Sequence, residues 1–212
     1  MNRVSPAHSQ LPATALWETI DGMPVPVRVD AQPATWLVDM SPLHRWLVRG
    51  GQAGAWLAAR GLAVPDDYFA IRDAGHGAFI VRTGAAEYFL HDGPAAPVAA
   101  ALGTLPRGVV AGMRIASRDD LEAVIGGARA PHILSEICAL DLHTAHGQYL
   151  LTRIAGISAW LCVEGRPQTP RFRIGCDPSY GAYLFECLVT LVEEQGGGVI
   201  GFHDFQHLHK ED

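Results

Sequence analysis

The sequence predicts an α+β protein of two lobes, in which antiparallel sheets are backed by helices. The first observation is a weak internal repeat at an offset of 76 residues, which aligns Ser41 with Ser117, Val48 with Val124, and Gly50-Gly51 with Gly126-Gly127. The second is the order of elements, because each half supplies strands, a short helix after Gly-Gly, further strands and a longer helix. The third is length, since 212 residues suit one domain or two small lobes.

The first 34 residues are expected to form an N-terminal arm. Pro24, Pro26 and Pro33 interrupt this stretch, so it suits an edge strand but not a central one. We expect the arm to dock on the body through Trp17 or Trp36.

The first lobe is expected over residues 35–106. It begins with two short apolar strands on either side of a Ser41-Pro42 turn. Gly50-Gly51 then precede a short helix that ends at Gly61. Three strands follow at 68–73, 77–83 and 87–91, and a helix from Pro97 ends before Pro106.

The second lobe is expected over residues 107–200. A strand at 108–117 precedes a helical region that Pro131 interrupts, and then a hairpin, a strand at 171–176 and the longest helix from Ser179. Two apolar stripes run along that helix, Leu184-Leu188-Leu191 and Phe185-Val189-Val192. The second stripe is expected to be exposed and to bind a partner. The alternative is that the N-terminal arm covers it and the helix is buried on both sides. Residues 201–212 are expected to be a polar, histidine-rich tail.

Composition excludes several classes of protein. Hydrophobic residues make up 49% and charged residues 18%, which excludes disorder for the body of the chain. The net charge of −6, without a Lys/Arg stripe, argues against a nucleic-acid partner. No apolar run reaches the roughly 20 residues that span a bilayer, and no secretory signal is recognisable. We therefore expect a cytoplasmic protein without a membrane partner.

The four cysteines predict buried, free thiols rather than a metal site. None of Cys138, Cys162, Cys176 and Cys187 belongs to a CxxC or CxxH pair, and each lies among apolar residues. His203, His207 and His209 could suggest a metal cluster, but a polar tail offers little rigid support for ligands. We therefore expect no metal and interpret these histidines as a solvated tail or a subunit contact.

Several segments resemble the gamma subunit of heterotetrameric sarcosine oxidase, over about residues 37–197. In the first lobe these are VRGGQAGAWLAARGLAVP and RTGAAEYFLHDG. In the second lobe, IGGARAPHILSEICALDLH contains the more specific Cys-x-Leu-Asp-Leu-His pattern, here Cys138 to His143. The strands LLTRIAGISAWLCVE and RFRIGCDPSYGAYLFECL complete the resemblance.

The resemblance implies the folate-binding fold of the glycine cleavage T-protein (aminomethyltransferase), built from tandem ferredoxin-like lobes. It also implies an accessory subunit of a flavin- and folate-dependent amine oxidase. The motifs of the T-protein are altered, however. Where that family carries an Asp-Asp pair, this chain has His76-Gly77-Ala78-Phe79, and GRPQT stands at about 164–169 in place of Gly-Tyr-Thr-Gly-Glu. We therefore assign no catalytic residue.

Carboxylates near a folate could manage charge during aminomethyl transfer. The candidates are Asp39, Glu87, Asp92, Asp141 and Glu164. For Asp39 we favour exposure to solvent or a cap on the Ser41-Pro42 turn over a catalytic role, and for Asp141 with His143 a structural anchor. Glu87 is expected to form a structural pair with an arginine such as Arg82 or Arg114, rather than to bind a ligand. The Gly-Gly pairs at 50–51 and 126–127 are attributed to helix packing rather than to phosphate binding.

Two functional hypotheses follow. The first is an accessory, non-catalytic gamma-type subunit of a flavin/folate-dependent, sarcosine-type amine-oxidising complex in one-carbon metabolism, without a cofactor in this chain. Its partners would be the other oxidase subunits or a second copy of itself. The alternative is a stand-alone protein that transfers one-carbon units on tetrahydrofolate or a related pterin. That pterin would lie between the lobes, against Tyr88, Arg173 and Tyr180.

Overall fold

The computed structural model describes residues 3–30, 32–104, 109–110, 112–142, 145–166 and 168–208. Its strands are β1 Leu16–Ile20, β2 Met23–Arg28, β3 Thr35–Asp39, β4 Arg45–Gly50, β5 Ile71–Gly75, β6 Ala78–Gly84, β7 Glu87–His91, β8 Val109–Val110, β9 Met113–Ser117, β10 Leu121–Gly127, β11 Tyr149–Ile154, β12 Ile157–Arg166, β13 Thr169–Cys176 and β14 Gly198–Val199. Its α-helices are α1 Ala53–Ala58, α2 Pro97–Leu102, α3 Ala130–Ile137, α4 Gly181–Glu194 and α5 Phe202–Leu208.

The chain divides into two compact units. The first unit comprises Met1–Pro42 and Asp120–Asp212, and the second comprises Leu43–Asp119. Each unit contains a six-stranded sheet, in the order β11-β12-β13-β10-β3-β14 in the first and β5-β6-β7-β4-β9-β8 in the second. All pairings among the described strands are antiparallel except that of β14 with β3. The predicted α+β class, with antiparallel sheets backed by helices, is confirmed.

This division differs from the sequential lobes 35–106 and 107–200 that we expected. The reason is strand pairing: β3 hydrogen-bonds with β10, and β9 hydrogen-bonds with β4. Strand β3 therefore belongs to the unit that contains residues 120–212, and β9 belongs to the unit of residues 43–119. Sequence order gives no sign of these pairings, because both strands are short.

The two units repeat one order of elements, β-α-β-β-β-α. In the second unit this is β4-α1-β5-β6-β7-α2, and in the first it is β10-α3-β11-β12-β13-α4. The strand pairings determine which residues of the two repeats correspond. Gly50 pairs with Met113, the first residue of β9, and Gly127 pairs with Thr35, the first residue of β3. Gly50, rather than Gly51, is thus the counterpart of Gly127, and the offset is 77 residues instead of 76.

The core of the first unit lies between its sheet and helices α3 and α4. Buried side chains from alternate positions of the central strands, such as Leu121, Ala123 and Ile125 of β10, face these helices. Ala7 and Leu11 of the N-terminal segment also belong to this core, and the segment packs against α4. Helix α4 ends in a Schellman turn, in which the Gly197 N–H donates to the Val192 carbonyl at 2.8 Å.

The expected exposed stripe on α4 is wrong. Phe185 and Val192 are fully buried in the core of the first unit, and Val189 is half-buried against it. The stripe is apolar because α4 packs against its own sheet on one side and against the N-terminal segment on the other. It is therefore core rather than a partner surface.

The C-terminal residues also differ from the expected polar tail. Residues 202–208 form α5, in which Phe202 and Phe205 are buried. Phe205 packs edge-on against Trp36 at 5.6 Å between ring centroids. Asp204 Oδ2 accepts a hydrogen bond from the Val29 backbone N–H at 2.9 Å, which ties α5 to the end of β2. The tail is thus part of the packed first unit up to residue 208.

Candidate functional site

A groove of about 340 Å³ opens beside α3 in the first unit. Its walls come from α3, from the segment that follows that helix, and from β12 and β13; the lining residues are Pro131, Ser135, Leu140, Asp141, Leu142, His146, Val163, Pro170 and Phe172. The volume lies at the lower end of the range of small-molecule sites. The groove includes part of the Cys-x-Leu-Asp-Leu-His pattern that the sequence analysis singled out.

Local structure explains how these side chains reach the groove. Pro131 occupies the first turn of α3, where its missing N–H costs no hydrogen bond, so it starts the helix instead of interrupting it. The helix ends at Ile137, and the backbone of the next residue, Cys138, is extended. The chain then returns to the sheet, where His146 bridges to Val163 of β12.

His146 has a defined tautomer when neutral. Its Nε2 lies 2.5 Å from the Gly165 carbonyl oxygen. Because a carbonyl oxygen can only accept, Nε2 carries the hydrogen and Nδ1 of the neutral ring keeps its lone pair. His146 and the exposed Asp141 are the titratable side chains of a mainly apolar lining. The groove therefore suits a small molecule with an apolar body and a polar group.

Most of this groove could not be predicted from the sequence. Asp141 was a candidate residue, His146 was not, and His143 lies outside the described residues. No periodicity or motif links Ser135, Val163 and Phe172, because they come together only when α3 packs on β12 and β13. The interpretation of Asp141 as an anchor stays a prediction.

A buried charge cluster surrounds Arg173 in the same unit. Arg173 Nε lies 3.1 Å from Glu164 Oε1 on β12, and Nη1 lies 3.6 Å from Glu122 Oε1 on β10. Burial lowers the pKa of Arg173, but Glu164 and Glu122 outweigh this effect and raise it above its ordinary value. Arg173 is thus a paired cation within the sheet.

Cys162 lies next to this cluster on β12, the strand between β13 and the edge strand β11. Cys162 is directly opposite Arg173 in the ladder of β12 and β13. Burial first, and the Glu164 carboxylate second, raise the pKa of Cys162 well above its ordinary value. A thiol held in its neutral form is a poor nucleophile, so Cys162 serves packing rather than covalent chemistry.

The three side chains predicted for a pterin cleft occupy different settings. Tyr88 is buried on β7 of the second unit, where its hydroxyl leaves no room for a Cβ at Gly54. Arg173 belongs to the buried cluster of the first unit. Tyr180 is exposed in the 3-10 turn that precedes α4. Of these, only Tyr180 presents most of its surface to solvent.

The remaining candidate carboxylates make structural contacts. Buried Asp39 accepts hydrogen bonds from the Ser5 hydroxyl and from the Ser41 backbone N–H, the latter at 2.9 Å. It therefore caps the Ser41-Pro42 turn, as expected, although it is buried. Asp92 accepts hydrogen bonds from the backbone N–H groups of Val98 and Ala99 at the start of α2. The pKa of Asp92 is raised, mainly because the carboxyl group is buried.

Glu87 has a different partner from those expected. It pairs with Arg49, which lies directly opposite on β4, and accepts a hydrogen bond from the Thr83 hydroxyl at 2.6 Å. Arg82 instead donates to backbone carbonyls, including that of Ala85. The expected pairing with Arg82 or Arg114 is therefore wrong, because the register of β4 and β7 places Arg49 opposite Glu87.

The glycine pairs allow close contacts between strands. A Cβ added at Gly50 would lie 2.3 Å from the Gly112 carbonyl oxygen. A Cβ added at Gly127 would lie 2.0 Å from the Ala34 carbonyl oxygen. Both residues also have positive φ, +131° and +96°. These contacts are with the backbone at the start of the neighbouring strands β9 and β3, and they are not the helix packing that we expected.

The histidines of the C-terminal segment show no metal arrangement in the part of the chain described. His203 and His207 lie on α5, and His209 lies outside the described residues. Among the described residues, no group of three or more His, Cys, Asp and Glu side chains could hold a metal ion. None of the described helices has the length and apolar character needed to cross a membrane.

Comparison with known proteins identifies the fold. No family model and no curated protein sequence matches the chain. Among solved structures, the chain is similar to a chain of heterotetrameric sarcosine oxidase from Corynebacterium sp. U-96, a structure in complex with pyrrole 2-carboxylate. The TM-score is 0.64 and the sequence identity is 21%. The match covers 92% of this chain and 96% of the oxidase chain. The glycine cleavage system aminomethyltransferase T from Bartonella henselae is similar with a TM-score of 0.66 and 14% identity. That match covers 96% of this chain but 60% of the aminomethyltransferase. The chain therefore has the fold that these two proteins share.

Proposed function

We propose that this chain is an accessory, non-catalytic subunit of a flavin- and folate-dependent amine-oxidising complex of the sarcosine oxidase type. The observation that carries the proposal is the agreement in extent with the oxidase chain, 92% of this chain against 96% of that one. The aminomethyltransferase extends well beyond the matched region, which covers 60% of it. The sequence segments quoted above point to the gamma subunit.

The roles of the described carboxylates support a non-catalytic subunit. Where the T-protein pattern has an Asp-Asp pair, this chain has the turn of the β5–β6 hairpin, with His76 at φ 52° and Gly77 at φ 76°. Asp39 and Asp92 bind backbone N–H groups, and Glu122 and Glu164 flank Arg173. These contacts give each of the four carboxylates a structural role.

The partners of this subunit would be the flavin-containing and folate-binding subunits of the oxidase, in the cytoplasm. The experiment is co-expression of the tagged chain with the flavin-dependent amine oxidase subunits of the same organism. We expect a stoichiometric complex by size-exclusion chromatography with light scattering. Sarcosine oxidation should require the flavin subunits, and the isolated chain should have no oxidase activity. Separate elution of the chain from every such subunit would overturn the proposal.

The alternative function, one-carbon transfer on a reduced pterin by the chain alone, rests on the groove beside α3 as a space for a small molecule. Calorimetry of the isolated chain with tetrahydrofolate distinguishes the two functions. Under the leading proposal no heat of binding is expected at millimolar ligand. Saturable binding that Asp141→Asn or Ser135→Phe abolishes would favour the alternative.

A further inference from the structure

The edge strands of the described sheets differ in how they are protected. An exposed edge strand presents unpaired backbone groups, and proteins protect such edges by bulges, prolines, charges or short length. The two-residue strands β8 and β14 are short. Strand β5 has a register shift and two charged residues, β1 has a register shift and Glu18, and β2 has two prolines.

Strand β11 is the described edge strand that has the least protection. Its six residues, YLLTRI, contain no proline and no carboxylate, and its ladder with β12 runs without a register shift. No described strand pairs with its other side. Leu151, at its centre, has 61% of its surface exposed. A regular apolar edge of this kind is a template for another strand.

The hairpin turn determines which residues face outward along the edge. Ala155 and Gly156 both have positive φ, 50° and 80°, as in a two-residue type I′ turn. Ile154 and Ile157 close that turn as a hydrogen-bonded pair, so Ile154, Thr152 and Leu150 direct their backbone groups towards β12. By alternation, the backbone groups of Leu151 and Arg153 are directed away from β12.

We propose that two copies of this chain associate through β11, antiparallel and about a twofold axis at Leu151. In this register Leu151 is opposite Leu151 of the second copy, and the outward backbone groups of the two residues form a hydrogen-bonded pair. Arg153 is then opposite Tyr149, so no like charges meet.

The self-complementary register is the reason to choose a second copy over an unrelated strand. The strand carries one charge, Arg153, and the twofold axis places the two copies of that charge at opposite ends of the pairing. Both exposed leucine side chains become covered at the centre. The proposal does not depend on the proposed function, because it concerns the chain alone.

Charge variants at Leu151 test the proposal by sedimentation velocity. Because a single strand pairing buries little area, the dimer is expected to be weak, and the full chain is measured up to about 200 µM. We expect a concentration-dependent dimer for the native chain and monomers for Leu151→Lys and Leu151→Glu separately. An equimolar mixture of the two variants should restore the dimer, since opposite charges then meet at the axis. Val4→Lys, at another exposed apolar side chain, is the matched control and should dimerise normally.

A disulfide test determines the register. Residues in a hydrogen-bonded antiparallel pair have Cα atoms about 5.5 Å apart, within the range that a disulfide bridges. The variant Leu151→Cys, made in a Cys187→Ser background, should form a covalent dimer under mild oxidation, whereas the background alone should not. A native chain that stays monomeric at the highest concentration would overturn the proposal. So would a native dimer that Leu151→Lys leaves intact, because its interface would lie elsewhere.

Discussion

Arg173 and Glu122 form a buried ion pair across the sheet of the first unit, with Nη1 3.6 Å from Oε1 and side-chain exposures of 2% and 1%. They lie on adjacent strands, two residues apart in register, since Arg173 is directly opposite Val124 and Glu122 opposite Gly175. Glu164 flanks Arg173 on the other side. Arg173 thus holds two carboxylates, and these contacts make it a structural residue of the sheet.

Replacement of Arg173 is expected to destabilise the first unit. Arg173→Met retains much of the side-chain volume but leaves Glu122 as a buried charge without this partner, so the free energy of unfolding should fall by about 3–5 kcal/mol. Urea denaturation followed by tryptophan fluorescence measures the change. Arg114→Met, at an exposed arginine of β9, is the control and should change stability by less than about 0.5 kcal/mol. Equal effects of both variants would contradict the structural role.

Methyl groups at the two equivalent glycines should be strongly unfavourable. Gly50→Ala and Gly127→Ala each add a Cβ within 2.3 Å of a backbone carbonyl oxygen at a residue with positive φ. We expect each to lower the free energy of unfolding by more than about 1 kcal/mol. Gly51→Ala is the control, because nothing lies within 4 Å of its added Cβ. A Gly51 variant as unstable as Gly50→Ala would show that close approach is not the cause.

The second apolar stripe of α4 should behave as core. Phe185→Ala removes a fully buried ring and should cost about 3–5 kcal/mol in the free energy of unfolding. Glu186→Ala, on the neighbouring exposed position, should have almost no effect. Thermal unfolding by circular dichroism compares the two variants. A folded Phe185→Ala chain with native stability but altered association would restore the partner-surface interpretation.

The Glu87 pair should contribute little to stability. The side chains of Arg49 and Glu87 are 63% and 25% exposed, and solvent-exposed pairs contribute about 0.2–1 kcal/mol. Glu87→Gln should therefore lower the free energy of unfolding by less than about 1 kcal/mol. The measurement is urea denaturation at low and high salt, since screening should remove the difference between variant and native chain. A loss of several kcal/mol that is insensitive to salt would contradict this expectation.

Thiol labelling should distinguish Cys187 from the other cysteines. All four are free, with Cys138, Cys162 and Cys176 buried and Cys187 partly accessible, which confirms the prediction of free and largely buried thiols. Burial is the main cause that raises the pKa of Cys176 to about 12, so its reactive thiolate is scarce at pH 8. With a disulfide reagent at pH 8, we expect one rapid thiol per native chain. Cys187→Ser should abolish that rapid phase, and rapid reaction of several thiols in this variant would contradict the burial of the others.

Local sequence patterns determined much of this protein. Turn residues such as Asp21-Gly22 and His76-Gly77 adopt positive φ between paired strands, and the glycines at 196–198 end the longest helix. The repeated order of elements identified the α+β class, because periodicity and turn chemistry act over a few residues and can be recognised one segment at a time.

Tertiary structure alone decided the pairings over long sequence distances. The pairing of β3 with β10, the burial of Phe185 and the packing of α5 against β2 each depend on which apolar surfaces meet. An apolar residue has the same local signature whether its own sheet, an arm or a partner covers it. Likewise, Arg173 is indistinguishable in sequence from a ligand-binding arginine until the register places Glu122 and Glu164 beside it.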